Sequence, residues 1–408
     1  MRLVIRNAQL RSSKNPVDIG LNDGRIVEIA PRISGGAEIE LDAAGRLVTE
    51  SFVNPHLHLC KVYTLQMMDE AALKDYHGES MGKAMTAIEL AARVKEKYDR
   101  AWIIRNVRRA VALAAIYGNT HIRAFADVDG KARLEGVEAL IQAREEFKGI
   151  VDLQVVAFAQ DGLVREPGAA ALIRQAMELG ADVVGGIPWI EFTEAAEQQH
   201  IDELFAIARA YDKPVSMLVD DAGDPGLRTL EKMAIKAIEQ GWQGRVLAHH
   251  ARAMALYPTP YLQKVAALLK AAGMGLVTDP HTGPLHARVK ELLAAGCLVC
   301  LGQDDVSDAY YPLGRNNMLE VAFLAVHLLW MTTTAEMEQL YNMITVDAAR
   351  AVGLADFELN VGAPAHLVIL NAPNVLEALR EHAAPAAVIS HGQIVNVEAM
   401  RAIIRENE

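Results

Sequence analysis

Cysteine is scarce in this chain, with three in 408 residues. Three thiols cannot form a disulfide framework, and the scarcity fits a reducing compartment. No uncharged apolar stretch reaches the roughly 18 residues that a membrane span needs. The opening MRLVIRNAQL has no apolar segment followed by small residues, so nothing there reads as a secretory signal. A cytoplasmic protein with no membrane partner is expected. Basic residues form no run or stripe and the net charge is -12, which argues against nucleic acid as a partner. Neither a G-x-G-x-x-G nor a P-loop sequence follows any apolar run, so nucleotide-binding α/β folds lose support.

What the chain does have is apolar material, 51% hydrophobic against 23% charged. That suffices for a large core, and the length favours one large domain plus a smaller one. Through the middle, short apolar runs alternate with helical segments rich in Ala, Leu, Glu and Lys. The runs lie near 48–58, 119–128, 151–160, 181–188, 214–221, 245–251, 273–280 and 298–305. Near-continuous apolar strands between amphipathic helices imply parallel strands covered by helices. Eight such units fit an α/β fold of the closed (β/α)₈, or TIM-barrel, type over residues 51–359. The ends differ. Residues 1–47 and 362–396 alternate in short runs around Asn-Asp-Gly, Gly-Gly and His-Gly turns, an antiparallel pattern. Each end is too short to fold alone, so 1–50 and 360–408 are expected to form one composite β-sandwich domain.

Polar residues unusual for buried strands gather at the C-terminal ends of these runs: His56, His58, His121, Asp127, Gln160, Asp220, Asp221, His249, His250, His281, Asp304 and Asp305. In a (β/α)₈ barrel that is the catalytic face, and buried charge is costly unless paired or on a metal. In Pro55-His56-Leu57-His58, residues two apart share a strand face, so both imidazoles point at the mouth as candidate ligands of one divalent metal. Asp304, ending the eighth run, is the natural carboxylate partner, because first and last strands are neighbours in a closed barrel. Alternation puts one of His249 and His250 inward and the other among the helices. Gln160 is suited to hydrogen-bond substrate, since an amide does not titrate. Cys297 and Cys300 sit just before and inside an apolar strand and read as buried packing with no redox role. The methionines at Met67-Met68 either line a loop or fill space.

Taken together, LVIRNAQL…DIGLNDGRIVEIAP, PHLHL, THIRAFADVD, LQVVAFAQDG, GRVLAHHARAM, CLVCLGQDDVSDAYYPLGRNNMLEVAFLAVH and GAPAHLVILNA…VISHGQIV resemble the amidohydrolase superfamily. Within it they are similar to the branch containing cytosine deaminase and N-isopropylammelide amidohydrolase, over nearly the whole chain. The resemblance implies a single divalent metal, zinc or iron, on His56, His58 and Asp304. It implies water attacking a ring carbon that bears an amino or alkylamino group. His250 matches a histidine beside the metal that moves protons or polarises substrate. Gln160 matches a substrate-binding glutamine, Asp305 a substrate contact, and Lys61 a retained lysine; His281 joins these as a substrate-facing residue. The partner implied is a small heterocycle, and a homo-oligomer is left open.

The departures concern strands two and five. Ala124-Phe125 stands where relatives often read Thr-His, and Leu218 stands where the fifth-strand metal histidine belongs. Leucine cannot ligate a metal. Either Asp220 reaches back toward the metal with Asp221 as acid/base, or the metal sits on His56, His58 and Asp304 with extra water, or metal and hydrolysis are lost. The expected function is a hydrolase acting on a C–N bond of a cyclic amidine or amide, such as a pyrimidine or s-triazine. Its alternatives are a ring-binding homologue without catalysis and a metal-free barrel enzyme. Leu218 also makes one pocket wall apolar, which suits a less polar substrate than cytosine.

Overall fold

The computed structural model describes residues 1–67, 94–308 and 310–408. Its centre is an eight-stranded parallel sheet: β6 (Phe52–Leu57), β7 (Asn119–Asp127), β8 (Asp152–Ala159), β9 (Val183–Gly186), β10 (Val215–Val219), β11 (Val246–His250), β12 (Gly275–Thr278) and β13 (Leu298–Leu301). The strands pair in chain order. Parallel bridging of Leu57 with Asp304 joins the last strand to the first and closes a TIM barrel. All nine residues of β7 and all five of β10 are buried, as expected where side chains meet helices outside and packing layers within. Helices such as Glu194–Ala210 and Thr229–Glu239 cover the outside. The first of these comes close to the sheet because β9 ends in glycine. A Cβ on Gly186 would lie 2.3 Å from His200 Nε2.

The run at 48–58, read as one strand in the sequence, is two. Ser51 separates β5 (Val48–Glu50) from β6, its backbone N–H donating to His366 O and its hydroxyl bonding Thr120 Oγ1 at 2.6 Å. β5 pairs with β14 (Leu367–Ile369), followed by β15 (Ala387–Ser390) and β16 (Gln393–Ile394), so the second sheet mixes both termini. The first sheet holds β1 (Leu3–Ala8), β2 (Val17–Asn22), β3 (Arg25–Ala30) and β4 (Ile39–Asp42), where β4 joins β1 in parallel within an otherwise antiparallel pattern. Leu3, Ile5, Ile19, Leu21 and Ile26 pack on Val48, Leu367, Ile369 and Ile389 in one shared core, giving a β-sandwich from both termini. The last helix, Val397–Asn407, lies on the barrel helix Arg100–Ile116. Met68 lies outside the described residues. No helix among those described is long and apolar enough to cross a membrane.

Candidate active site

The barrel seam builds the centre of the site. His58 N–H donates to Asp304 O at 2.8 Å and Asp304 N–H to His56 O at 2.9 Å, so first and last strands interlock at the mouth. Asn54 steadies the turn, its Oδ1 accepting from the backbone N–H of His56 and of Gln303. Gly302 permits the approach, since a Cβ there would stand 2.8 Å from His56 Cβ. Asp304 Oδ1 then lies 2.9 Å from His56 Nε2, 3.8 Å from His58 Nε2 and 3.9 Å from His250 Nε2. One ligand atom from each of His56, His58, His250 and Asp304 falls within 4.8 Å of all the others, and all four residues are buried.

This donor set suits a divalent cation. Metal–nitrogen and metal–oxygen bonds of about 2.0–2.2 Å put neighbouring ligand atoms roughly 3–4 Å apart. Burial holds the pKa of His56 and His58 well below the ordinary imidazole range, which leaves lone pairs available. His250 differs. Burial opposes its charge, but Asp221, Asp279 and Asp304 outweigh that and push its pKa up to about 9. Its Nδ1 bonds Asp279 Oδ1 at 2.8 Å, the carboxylate support that ligating histidines usually have. Burial, together with Asp279 and Asp305, raises the pKa of Asp304 well above the usual carboxylate range.

The pair His249-His250 corrects the alternation argument. Both rings lie in the lumen, at 4.6 and 4.9 Å from the His56 ring. His250 has φ +67°, a left-handed turn that carries its side chain to the face His249 already occupies. Neither ring nitrogen of His249 has a hydrogen-bond partner among the described residues, and neither histidine of the pair is the one expected among the helices. Phe125 sits beside it. Its ring meets those of His56 at 4.5 Å, His58 at 5.4 Å and His249 at 5.1 Å. With Phe158, Trp189, Ile190 and Leu218 it forms an apolar cluster on the side of strands two to five.

Asp220 does not reach the cluster, contrary to the first outcome posed for the fifth strand. Its carboxylate accepts from Thr229 N–H and Oγ1, both at 2.7 Å, and from Tyr257 OH at 2.6 Å. The unmet amides at the start of helix Thr229–Glu239 claim it. Asp221 is placed differently, its Oδ1 taking Nη1–H of Arg252 at 2.6 Å. Arg252 also donates to Asp279 Oδ2 at 3.1 Å. Neither Arg252 nor Asp279 was singled out in the sequence. Asp279 follows β12, so the strand-end argument could have found it; Arg252, two residues beyond His250, carried no signal. Lys61 Nζ donates to Gln160 Oε1 at 2.7 Å and stands 3.5 Å from Asp127, bringing two substrate-facing candidates together. Asp305 interacts with Asp308, and burial with that neighbour raises its pKa. His281 donates from Nε2 to Gln303 O at 3.2 Å and packs on Tyr311. Cys297 and Cys300 are buried, their thiols donating to carbonyls of Ala266 and Leu276.

Known proteins resemble this chain along its length. N-isopropylammelide isopropyl amidohydrolase of Pseudomonas sp. (strain ADP) is 31% identical over 396 residues, 96% of each chain. The crystal structure of 5-methylcytosine deaminase from Klebsiella pneumoniae liganded with phosphonocytosine superposes with a TM-score of 0.87 at 31% identity, covering 96% of this chain and 98% of that one. N-isopropylammelide isopropylaminohydrolase from Burkholderia multivorans gives 0.86 at 27% identity, over 97% and 98%. The family model for amidohydrolases matches residues 40–396. With the barrel, its seam and these likenesses together, the chain belongs to the amidohydrolase family.

Proposed function

We propose that this chain is a metal-dependent hydrolase of small heterocycles, cleaving a non-peptide C–N bond at an amino- or alkylamino-bearing ring carbon of a pyrimidine, s-triazine or similar cyclic amidine or amide. The observation that carries this reading is the convergence of His56, His58, His250 and Asp304 at the barrel mouth. His56, His58 and Asp304 would hold a divalent cation, zinc or iron, with His250 as the fourth member of the cluster. Such a cation supplies Lewis acidity and lowers the pKa of water toward neutrality. The relatives named above, a deaminase, an amidohydrolase and an aminohydrolase, act on rings of this kind according to their names.

The chain's own residues supply positioning and proton transfer. Hydrolysis needs one proton removed from water and one delivered to the departing nitrogen. His250 is poised for this at Nε2, because Asp279 fixes its Nδ1 and the surrounding carboxylates favour the protonated ring. Asp221, held by Arg252, takes the acid/base place beside it. Lys61 occupies the carbonyl oxygen of Gln160, which leaves the amide N–H groups as the donors that orient a ring acceptor. Asp305 and His281 complete the polar side, and Phe125, Phe158 and Leu218 give the apolar side against which a flat ring with an alkyl substituent packs.

A ring-binding homologue without hydrolysis is the second reading, favoured by Leu218 in the strand position of a metal histidine. Metal analysis of protein expressed in zinc- or iron-supplemented medium separates the two, combined with ammonia or amine release from a panel of pyrimidines and s-triazines. Stoichiometric metal and turnover, both lost in His56→Ala, are expected. Folded, metal-free protein that binds rings without turnover, indifferent to chelator, would establish the second reading instead.

A further inference from the structure

Arg252 opens the short 3-10 turn Arg252–Leu256 beyond β11 and is buried. Its guanidinium faces carboxylates from three strand ends. Nη1 donates to Asp221 Oδ1 at 2.6 Å, and Nη2 donates to Asp279 Oδ2 at 3.1 Å and stands 3.6 Å from Asp304 Oδ2. Thr282 sets the angle, accepting from Nη2 at 2.6 Å and bonding Asp279 Oδ2 at 2.6 Å. Asp304 therefore shows one oxygen to the histidines and the other to the arginine. Asp279 divides in the same way, with Oδ1 on His250 and Oδ2 on Arg252. Guanidinium stays charged, and buried charges a few ångströms apart interact far more strongly than in water.

We infer that Arg252 is a resident counter-cation of the metal centre: it draws on the carboxylates around a divalent ion at His56, His58 and Asp304, and so weakens and tunes that ion's binding. The inference rests on the metal-centre reading above, extended to a residue that touches the ligand Asp304 without being one. Two roles give opposite signs. If Arg252 merely props the carboxylates in place, any substitution loosens the metal. If its charge competes, removing the charge while keeping a hydrogen-bonding side chain tightens the metal, and lysine leaves affinity near the starting value.

The test uses the full chain stripped of metal, with Zn²⁺ affinity measured by competition with a chromogenic chelator for the wild type, Arg252→Gln and Arg252→Lys. A Co²⁺ absorption spectrum reports the ligand set independently of turnover. Arg252→Gln is expected to bind Zn²⁺ at least about ten-fold more tightly than the wild type, with Arg252→Lys within about three-fold of it. Equal or weaker binding by Arg252→Gln, with the wild type loaded normally, overturns the inference and leaves the hydrolase reading standing. Zn²⁺ held by Arg252→Gln but not by the wild type supports the inference and overturns the hydrolase reading for the natural chain. Failure of both to bind overturns both. Should Arg252→Gln not fold, Arg252→Met, which removes the charge and leaves Asp221, Asp279 and Asp304 untouched, is expected to show the same tightening; its absence there counts against the inference equally.

Discussion

The ring of His366 stands edge-on to that of His391, their centroids 4.5 Å apart, where the terminal sandwich meets the strand origins of the barrel. His121 and Asp152, from the starts of β7 and β8, complete this cluster, so His121 belongs to the end of the barrel opposite the mouth and not to the strand-end set expected from the sequence. Burial, aided by His121 and His391, pushes the pKa of His366 down to about 3. An unfolded His366 takes up a proton near pH 6.5 while the folded one stays neutral, so its contribution to stability is complete above that pH and shrinks as pH falls toward 3. His391 has the opposite sign. Its bond to Asp152 raises its pKa, so its smaller, half-exposed contribution is present in mild acid and fades as pH rises. The loss on acidification is therefore expected to be shallower in His366→Gln, by no more than about 1.4 kcal/mol per pH unit between pH 6 and 4. Urea denaturation at several pH values checks this, and parallel curves for the two proteins would refute it.

Asp279→Asn is expected to slow turnover. The carboxylate behind a site histidine fixes its tautomer and basicity, and its removal typically costs about 10–100-fold in activity. His250 Nδ1 depends on Asp279 in that way, and Asp279 helps to favour the protonated ring. The variant should keep its fold by circular dichroism while kcat falls; unchanged kcat would show that His250 does not need Asp279 to move protons.

Asp220→Ala is expected to act on stability alone. It deprives Thr229 and the Tyr257 hydroxyl of their shared acceptor in a buried setting, a loss of about 2–4 kcal/mol. Metal stoichiometry should not change. A variant of undiminished stability that failed to load metal would restore Asp220 to the site.

Gly302→Ala is expected to disturb the seam. A methyl group there lies 2.8 Å from His56 Cβ and 2.9 Å from Val277 Cγ1, and overpacking of this kind costs about 1–3 kcal/mol. Because His56 must shift, Zn²⁺ affinity should fall along with the melting temperature. A drop in melting temperature without any change in affinity would show that His56 tolerates the push.

The sequence made the barrel legible because parallel strands covered on both faces are buried throughout, as β7 and β10 are, and so draw on short runs rich in apolar residues, such as Val215–Val219. His56 and His58 were readable through the two-residue period of a strand, and Asp304 through the adjacency of first and last strands. The period failed at His249-His250, where a left-handed residue turns the chain. Asp220 was misjudged because its partner, the start of a helix nine residues on, is a tertiary fact. Arg252 stayed hidden because an isolated arginine gains meaning only when Asp221, Asp279 and Asp304 arrive from three other strand ends.

His56 and Asp304 are 248 positions apart in the chain. A ribosome must therefore release nearly the whole barrel before the cluster exists, and no early fragment can assemble it. A cation captured there would act late, as a clasp over a finished cylinder, and its uptake would time the last act of folding rather than the first.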